Sequence, residues 1–508
     1  MWKTSGTLEA FAGADFGIKD GKNAVVRSDL DVAPGQFGSN AWDDDFNTRA
    51  LVIAEGSDGR AYQRTVTRSV VKFVLDNSKG LNLFSKRHYG GDPWDGDSIT
   101  LLPGNHPRMP AAKYDNWASS ATISPGCTAT LYENTNYRGR KLVVKAKMPS
   151  FGTFDNKASS VKLAPKLFSF GLISDVQHAD IPDGFSFHGV PRYYRQALAG
   201  LERALEHFQQ EQVSFAVHLG DIIDYHNSVT PPDEGSDISK SEQALQNVLQ
   251  RFERLQLPVL HMLGNHCLYN HPRDELNRRL GIDKFKQYPS LPHSYYTYSP
   301  HPGWRFVVCD GYDVSLLGWP PGHPLHARAA SILSEKNPNK EKNSNNGLVG
   351  VDRRFVKFGG GLSEQQLAWL GQQLEEARSS SQQVVVLCHL CFHPRTCAGA
   401  CLMWNYDEVL QTLHSYDDVV VATLAGHAHM DGYFQDEHGI HHRVCKAVLE
   451  TPPGRDCFGV VDVFPDRLVV RGVDTFSSGE WCIGGGQVVR RRQLEQKRRG
   501  TLAQQQHP

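Results

Sequence analysis

The sequence predicts two folds in series: an all-β region up to about residue 165, then an α/β domain over 166–482. Three observations predict it. Composition shifts near residue 165, from Gly-, Asp-, Asn- and Ser-rich stretches to alternating apolar strands and amphipathic helices. A motif in the first region recurs forty residues later. In the second region, apolar runs of strand length each lead into a side chain able to hold a metal.

The first region has short β-prone runs such as Thr128–Leu131 and Lys141–Val144 and no long helical pattern. Its repeat is Asp115-Asn116-Trp117-Ala118-Ser119-Ser120 followed by Asp155-Asn156-Lys157-Ala158-Ser159-Ser160. Upstream of each copy is an aromatic-x4-Tyr-x-Gly pattern: Phe84, Tyr89 and Gly91, then Tyr132, Tyr137 and Gly139. A weaker third copy runs from Phe11 and Phe16 to Asp44-Asp45-Phe46-Asn47-Thr48, with Ile18 replacing the glycine and Arg49 the final serine. The paired pattern resembles the Greek-key motifs of the βγ-crystallin family. That resemblance implies a β-sandwich over 80–165 that binds Ca2+ through Asp115, Ser119, Asp155 and Ser159. Residues 1–79 read as a β-rich segment.

The second region opens on an apolar strand, Phe168–Ser174. Pro191–Glu211 places Tyr194, Leu198, Leu201, Leu205 and Phe208 on one helical face. Ser214–Leu219, Pro258–Leu263, Val384–Leu387 and Val419–Leu424 read as further strands. Ser363 with Gln366 forms a capping box opening a helix through Leu374. Residues 483–508, with Arg490-Arg491-Arg492 and Lys497-Arg498-Arg499 among glutamines, read as a disordered basic tail.

Five pieces at the strand ends carry the chemistry. They are Asp175-Val176-Gln177, Gly220-Asp221, Gly264-Asn265-His266, Cys388-His389 and Gly426-His427-Ala428-His429. Each alone is a common turn or core sequence. Together, each at the carboxyl end of a strand, they form a crevice of O and N donors. Two divalent ions so held clamp a phosphate and lower the pKa of a water between them.

The order of these pieces resembles that of the calcineurin-like metallophosphoesterase superfamily, which implies an α/β/β/α sandwich of two mixed sheets. Gln177, where that superfamily usually has histidine, narrows the resemblance to the manganese-dependent ADP-ribose/CDP-alcohol diphosphatases. Asp183-Gly184-Phe185-Ser186-Phe187, Asp310-Gly311-Tyr312-Asp313, Phe358-Gly359-Gly360-Gly361 and Cys401-Leu402-Met403-Trp404-Asn405-Tyr406 point the same way. The resemblance implies one ion on Asp175, Gln177, Asp221 and His429, and another on Asp221, Asn265, His389 and His427. It implies His266 as the catalytic residue, and Mn2+ or Mg2+ as the ions. The substrate would be a small nucleoside-diphosphate-linked compound such as ADP-ribose, CDP-choline or CDP-glycerol. Phe187, with Phe185 near it, and Cys401 are the expected substrate contacts; Trp404 and Tyr406 follow the same loop. Cys267 stands where the superfamily usually has an acidic residue, so a carboxylate orienting His266 comes from elsewhere.

Lys+Arg number 54 against 55 Asp+Glu, which argues against a nucleic-acid or membrane-surface protein. No apolar run is long enough to span a bilayer, and Asp15, Lys19 and Asp20 interrupt any leader, so the expected location is cytoplasmic. Cys388, Cys391, Cys397 and Cys401 are too cramped for a structural zinc site and read as free thiols. The sequence leaves two rivals. One is a phosphodiesterase or phosphomonoesterase of the same superfamily; the other is a calcium-dependent binding protein whose second domain is inactive.

Overall fold

The computed structural model describes residues 115–123, 127–234 and 236–483, together with strands and short stretches between residues 25 and 109. The degenerate third copy (Phe11, Phe16, Asp44–Thr48), Tyr89, Gly91 and the tail beyond Ile483 lie outside the described residues. The chain divides into two units, Met1–Lys166 and Leu167–Pro508.

The first unit is all-β in its described residues. One sheet orders Ala61–Thr67, Arg49–Glu55, Val25–Arg27, Ser98–Leu101, Leu81–Phe84 and Ser120–Ile123. The other orders Gly104–His106, Ser160–Pro165, Cys127–Asn134 and Arg138–Val144. The two repeats exchange strands. Gly104–His106, from the first repeat, pairs with Ser160–Pro165 of the second, with Val161 opposite His106. In return Met148 of the second repeat bridges Ala121 of the first, through hydrogen bonds of 2.8 and 2.9 Å. This reciprocal exchange is a Greek-key crossing, and neither repeat buries its apolar face alone. Alternate residues such as Ala129 and Leu131, or Val161 and Leu163, point into the shared core. Gly139 explains the glycine of the aromatic pattern: its φ is +81°, and a Cβ there would meet Asn134 Nδ2 at 2.7 Å.

The second unit is an α/β/β/α sandwich. Its first sheet orders Val259–His261, Phe215–His218, Phe168–Ile173, Cys457–Val463, Arg467–Asp474 and Gly479–Cys482, the first three parallel and the rest antiparallel. The second orders Tyr296–His301, Trp304–Val308, Gln383–Leu387, Val420–Ala425, His441–Val444 and Gly432–Gln435, with the inner four parallel. The sheets meet through aromatic contacts, with Phe306 5.2 Å from Phe170 and 5.0 Å from Phe215. Helices Gln196–Gln210 and Lys240–Glu253 back the first sheet; Glu364–Ser379 and Tyr406–His414 back the second. Parallel strands buried on both faces need the near-continuous apolar runs the sequence shows.

Two local expectations are corrected. The first helix begins at Gln196, because Pro191–Arg192 instead pairs with Gly184–Phe185 in a short hairpin. Pro191 is at home there, since its missing N–H breaks no helical ladder. The helix expected to end at Leu374 runs to Ser379, and its capping box is one-sided. Ser363 Oγ accepts from Gln366 N at 3.1 Å, but the Gln366 amide turns inward and donates to Asp310 O at 3.0 Å.

Candidate metal centre

Asp175, Gln177, Asp221, His427 and His429 all adopt left-handed backbone, with φ between 42° and 65°. For residues other than glycine such conformations cost roughly 1–3 kcal/mol each, and persist only where the surroundings enforce them. Here the enforcing elements are the strands themselves. Asp175 N donates to Gly220 O at 3.2 Å and Gln177 N to Asp221 O at 2.9 Å, zipping the first two loops together.

These turns bring the predicted side chains into one buried cluster. His389 Nε2 lies 3.2 Å from Asp221 Oδ2, and His427 Nδ1 lies 3.2 Å from His389 Nε2. On the other side, Gln177 Nε2 reaches Asp221 Oδ2 at 3.1 Å and His429 Nε2 at 2.9 Å. His429 Nε2 is 3.2 Å from Asp175 Oδ1. Asp221 therefore touches both halves. Asn265 opens the helix Asn265–Asn270, and its Oδ1 accepts from Tyr312 OH at 3.1 Å. Two glycines make room: a Cβ on Gly220 would meet His389 Nδ1 at 2.6 Å, and one on Gly264 would meet Asp221 Oδ1 at 2.0 Å.

Partners outside the predicted set orient the imidazoles. His389 Nδ1 donates to Leu219 O at 2.7 Å, and His429 Nδ1 lies 2.8 Å from Glu450 Oε1. Each contact fixes a proton on Nδ1 and leaves Nε2 as a ligand atom. Ser174 Oγ donates to Asp175 Oδ2. Glu450 has no sequence signal, because it lies 21 residues past His429.

The donor set fits divalent cations. Gln177 Oε1 and His427 Nε2 are buried without a hydrogen-bond partner, although buried polar atoms nearly always have one. An amide half-turn exchanges Gln177 Oε1 and Nε2, bringing the oxygen to the point where Asp221 and His429 converge. The charges agree. Burial pushes the Asp175 carboxyl up, but His429 and His389 beside it hold it well below the usual range. Asp221 is lowered in the same way, His389 and His266 outweighing burial. Burial also opposes the charge on His429, yet Asp175 and Glu450 raise it to about 10, so a cation binding there must displace the Nε2 proton. Burial and the adjacent His389 push His427 down to about 3, leaving it neutral.

His266 sits at the edge of the cluster, its backbone N donating to Asp221 Oδ1 at 2.8 Å. Its Nδ1 accepts from Tyr225 N at 3.0 Å and lies 3.1 Å from Asp224 Oδ2. Asp224 is the carboxylate that Cys267 does not supply. It stands three residues after Asp221, a spacing that could have identified it. Cys267 instead packs in the core, and burial pushes its thiol up to about 12.

The expected substrate contacts differ in exposure. Phe187 is fully exposed and Phe185 73% exposed, at the hairpin preceding Pro191. Cys401 is half-buried in the turn Gly399–Cys401, its carbonyl accepting from Cys391 N at 3.2 Å. Trp404 is excluded from any open pocket: it is buried against Val314, Leu333 and Phe355. Cys388, Cys391, Cys397 and Cys401 are free thiols.

In the first unit the two motif copies pair across each other. Ser119 Oγ donates to Asn156 Oδ1 at 3.0 Å, and Ser159 Oγ to Asn116 Oδ1 at 3.2 Å. Asn116 and Asn156 both take left-handed φ, 55° and 53°. Ser119 and Ser159 are buried, whereas Asp115 is exposed and Asp155 half-buried. The asparagines are thus partners of the serines, a pairing that neither copy encodes by itself.

The calcineurin-like phosphoesterase family model matches residues 168–431. A manganese-dependent ADP-ribose/CDP-alcohol diphosphatase from Oryza sativa subsp. japonica is 48% identical over 317 residues, 62% of this chain and 94% of that protein. One of the same name from Arabidopsis thaliana is 47% identical over 317 residues, 62% of this chain and 97% of its own. A solved dimetal phosphatase from Danio rerio superposes with a TM-score of 0.60 at 35% identity, covering 63% of this chain and all of that one.

Proposed function

Because the chain belongs to the calcineurin-like phosphoesterase family and is a metal-dependent hydrolase, we propose that it splits the diphosphate of nucleoside-diphosphate-linked small molecules. ADP-ribose would yield AMP and ribose 5-phosphate; CDP-choline or CDP-glycerol would yield CMP and a phosphorylated alcohol. The observation that carries the reading is the pair of donor sets sharing Asp221, with His266 at their edge.

Asp175, Gln177, Asp221 and His429 would hold one ion, and Asp221, Asn265, His389 and His427 the other. Manganese or magnesium bound there supplies charge neutralisation at phosphorus and an activated water. An amide oxygen in the first set suits these harder ions. His266, in its protonated form, presents Nε2–H to the bridging oxygen, which departs with that proton as water adds to the phosphorus and leaves the ring neutral. Asp224, buried and held ionised by His226 and His266 against burial, orients His266 and stabilises its protonated form, whose charge is lost as the proton leaves. Phe187 and Cys401 are assigned to the substrate, the exposed ring of Phe187 being suited to stack on a nucleobase.

In the first unit, Asp115, Ser119, Asp155 and Ser159 are assigned to two Ca2+ ions, supported by the crossed Asn–Ser pairs that draw both copies together. Calcium titration calorimetry on the full chain should find two sites; no heat at millimolar calcium would sink this assignment. A reducing, cytoplasmic setting suits the ten free thiols, and no helix among the described residues is long and apolar enough to cross a membrane.

Rates on ADP-ribose, CDP-choline, a cyclic nucleotide and p-nitrophenyl phosphate, with manganese and with magnesium, test the main reading. The two diphosphates should dominate. Preference for the cyclic nucleotide or the monoester would replace it with the phosphodiesterase or phosphomonoesterase alternative.

A further inference from the structure

The side chain of Tyr225, the residue after Asp224, takes no part in that chemistry. Tyr225 donates its backbone N–H to His266 Nδ1, so the position of its Cα beside the proton donor does not depend on its side chain. Its ring lies 5.9 Å from the His266 ring, 4.3 Å from His226 and 6.2 Å from Tyr269. Tyr194, Tyr295, Tyr296 and Tyr312 are all buried, whereas Tyr225 is 38% exposed. It therefore presents part of an aromatic surface to solvent at the edge of the site.

We propose that Tyr225 is a specificity residue for the departing half of the substrate, selecting a quaternary ammonium such as that of CDP-choline over an uncharged alcohol. The inference rests on the diphosphatase reading and on His266 as donor to the bridging oxygen. A donor must reach the oxygen it protonates, so when water adds to the nucleotidyl phosphorus the departing phosphocholine lies on the His266 side. In CDP-choline only an ethylene spacer separates that phosphate from its trimethylammonium, which brings the cation to the neighbourhood of Tyr225. Aromatic faces attract such cations. Tyr225 and Tyr269 stand at 71° to one another and form two walls. The ionised Asp224 behind them adds negative charge on the same side. Glycerol presents hydroxyls there and gains nothing from the rings.

The test uses the full chain loaded with manganese, and kcat/KM for CDP-choline, CDP-glycerol and ADP-ribose. Tyr225→Phe should keep the choline-to-glycerol ratio within about twofold. Tyr225→Leu, apolar but without a ring face, should lower that ratio about tenfold, mainly through KM. A merely structural role would lower all three substrates together. An unchanged ratio in Tyr225→Leu overturns the assignment. A second measurement needs no variant: phosphocholine should inhibit the wild-type enzyme more strongly than its uncharged carbon isostere, and equal inhibition also overturns it. Wild-type enzyme inactive on all three substrates would instead overturn the diphosphatase reading itself.

Discussion

Gly264 is the sharpest test of the shared carboxylate. Its backbone, φ −113° and ψ 171°, is ordinary extended conformation, so alanine is not strained there by torsion. The cost is contact alone. A Cβ would stand 2.0 Å from Asp221 Oδ1, 2.6 Å from its Cγ and 2.7 Å from its backbone N. Ordinary contact begins at 3.4 Å, so the oxygen must retreat by 3.4 − 2.0 = 1.4 Å. Asp221 cannot simply pivot, because its backbone is fixed at φ 54° and its carbonyl accepts from Gln177 N at 2.9 Å. A retreat of that size breaks the His389 and Gln177 contacts, at 3.2 and 3.1 Å, and the 2.8 Å bond from His266 N. Misplacement by about 1 Å costs roughly 10²-fold in rate, and overpacking a close-packed site costs about 1–3 kcal/mol. Gly264→Ala should therefore lower kcat/KM on ADP-ribose at least a hundredfold and lose bound manganese on desalting. The melting temperature should fall only modestly. Wild-type metal content and rate in this variant would refute Asp221 as the shared ligand.

The remaining predictions each isolate one group. His266→Ala should retain metal while slowing turnover roughly 10²–10⁴-fold, the usual worth of a positioned acid; full activity would remove it from the mechanism. Asp224→Asn should keep metal and lower kcat by a smaller factor, measured beside His266→Ala, and a double variant no slower than His266→Ala alone would show that the two act as one unit. Gln177→His should still bind metal but lose more activity with magnesium than with cobalt, because imidazole suits later ions. His218, pushed down to about 4 by burial, binds a proton in the unfolded chain before it does in the folded one. Between pH 6.5 and 4 the unfolded state therefore holds more protons, and stability should fall by about 3 kcal/mol as the pH drops across that window. Denaturant midpoints at pH 7 and 4.5 would check it, with His218→Gln giving the flatter dependence.

Much of the second unit is legible in sequence because parallel strands buried on both faces must be short, continuous apolar runs. Phe168–Ile173 and Val420–Ala425, buried throughout, lie within about a residue of the runs that predict them. The boundary at Pro191 was not legible, because the helical face through Tyr194 continues apolar spacing upstream of the true start. Tyr194 is buried, but from the loop before the helix. The strand exchange of the first unit was likewise hidden. Met148 has no repeat signal of its own, and only the fold pairs it with Ala121.

The same contrast runs through the site. A candidate ligand lies two to four residues past a strand, five of the seven in turns with φ between 42° and 65°, so its place is written beside an apolar run and often beside a glycine. The groups that orient those candidates are under no such constraint. An imidazole Nδ1–H needs only one acceptor in the right direction, and the chain provides it wherever it passes: a backbone carbonyl at Leu219, a carboxylate at Glu450. Leu219 O is invisible in sequence because any residue there would serve equally. Asp224 falls between the two cases. It lies on the turn that carries Asp221, so spacing can find it, yet its target His266 comes 42 residues later. Residues that face the centre are thus fixed by local geometry, whereas those that hold them are fixed by tertiary packing. For this reason substitutions at Asp224 and Glu450 should report on the fold's precision, and those at Asp221 on the chemistry itself.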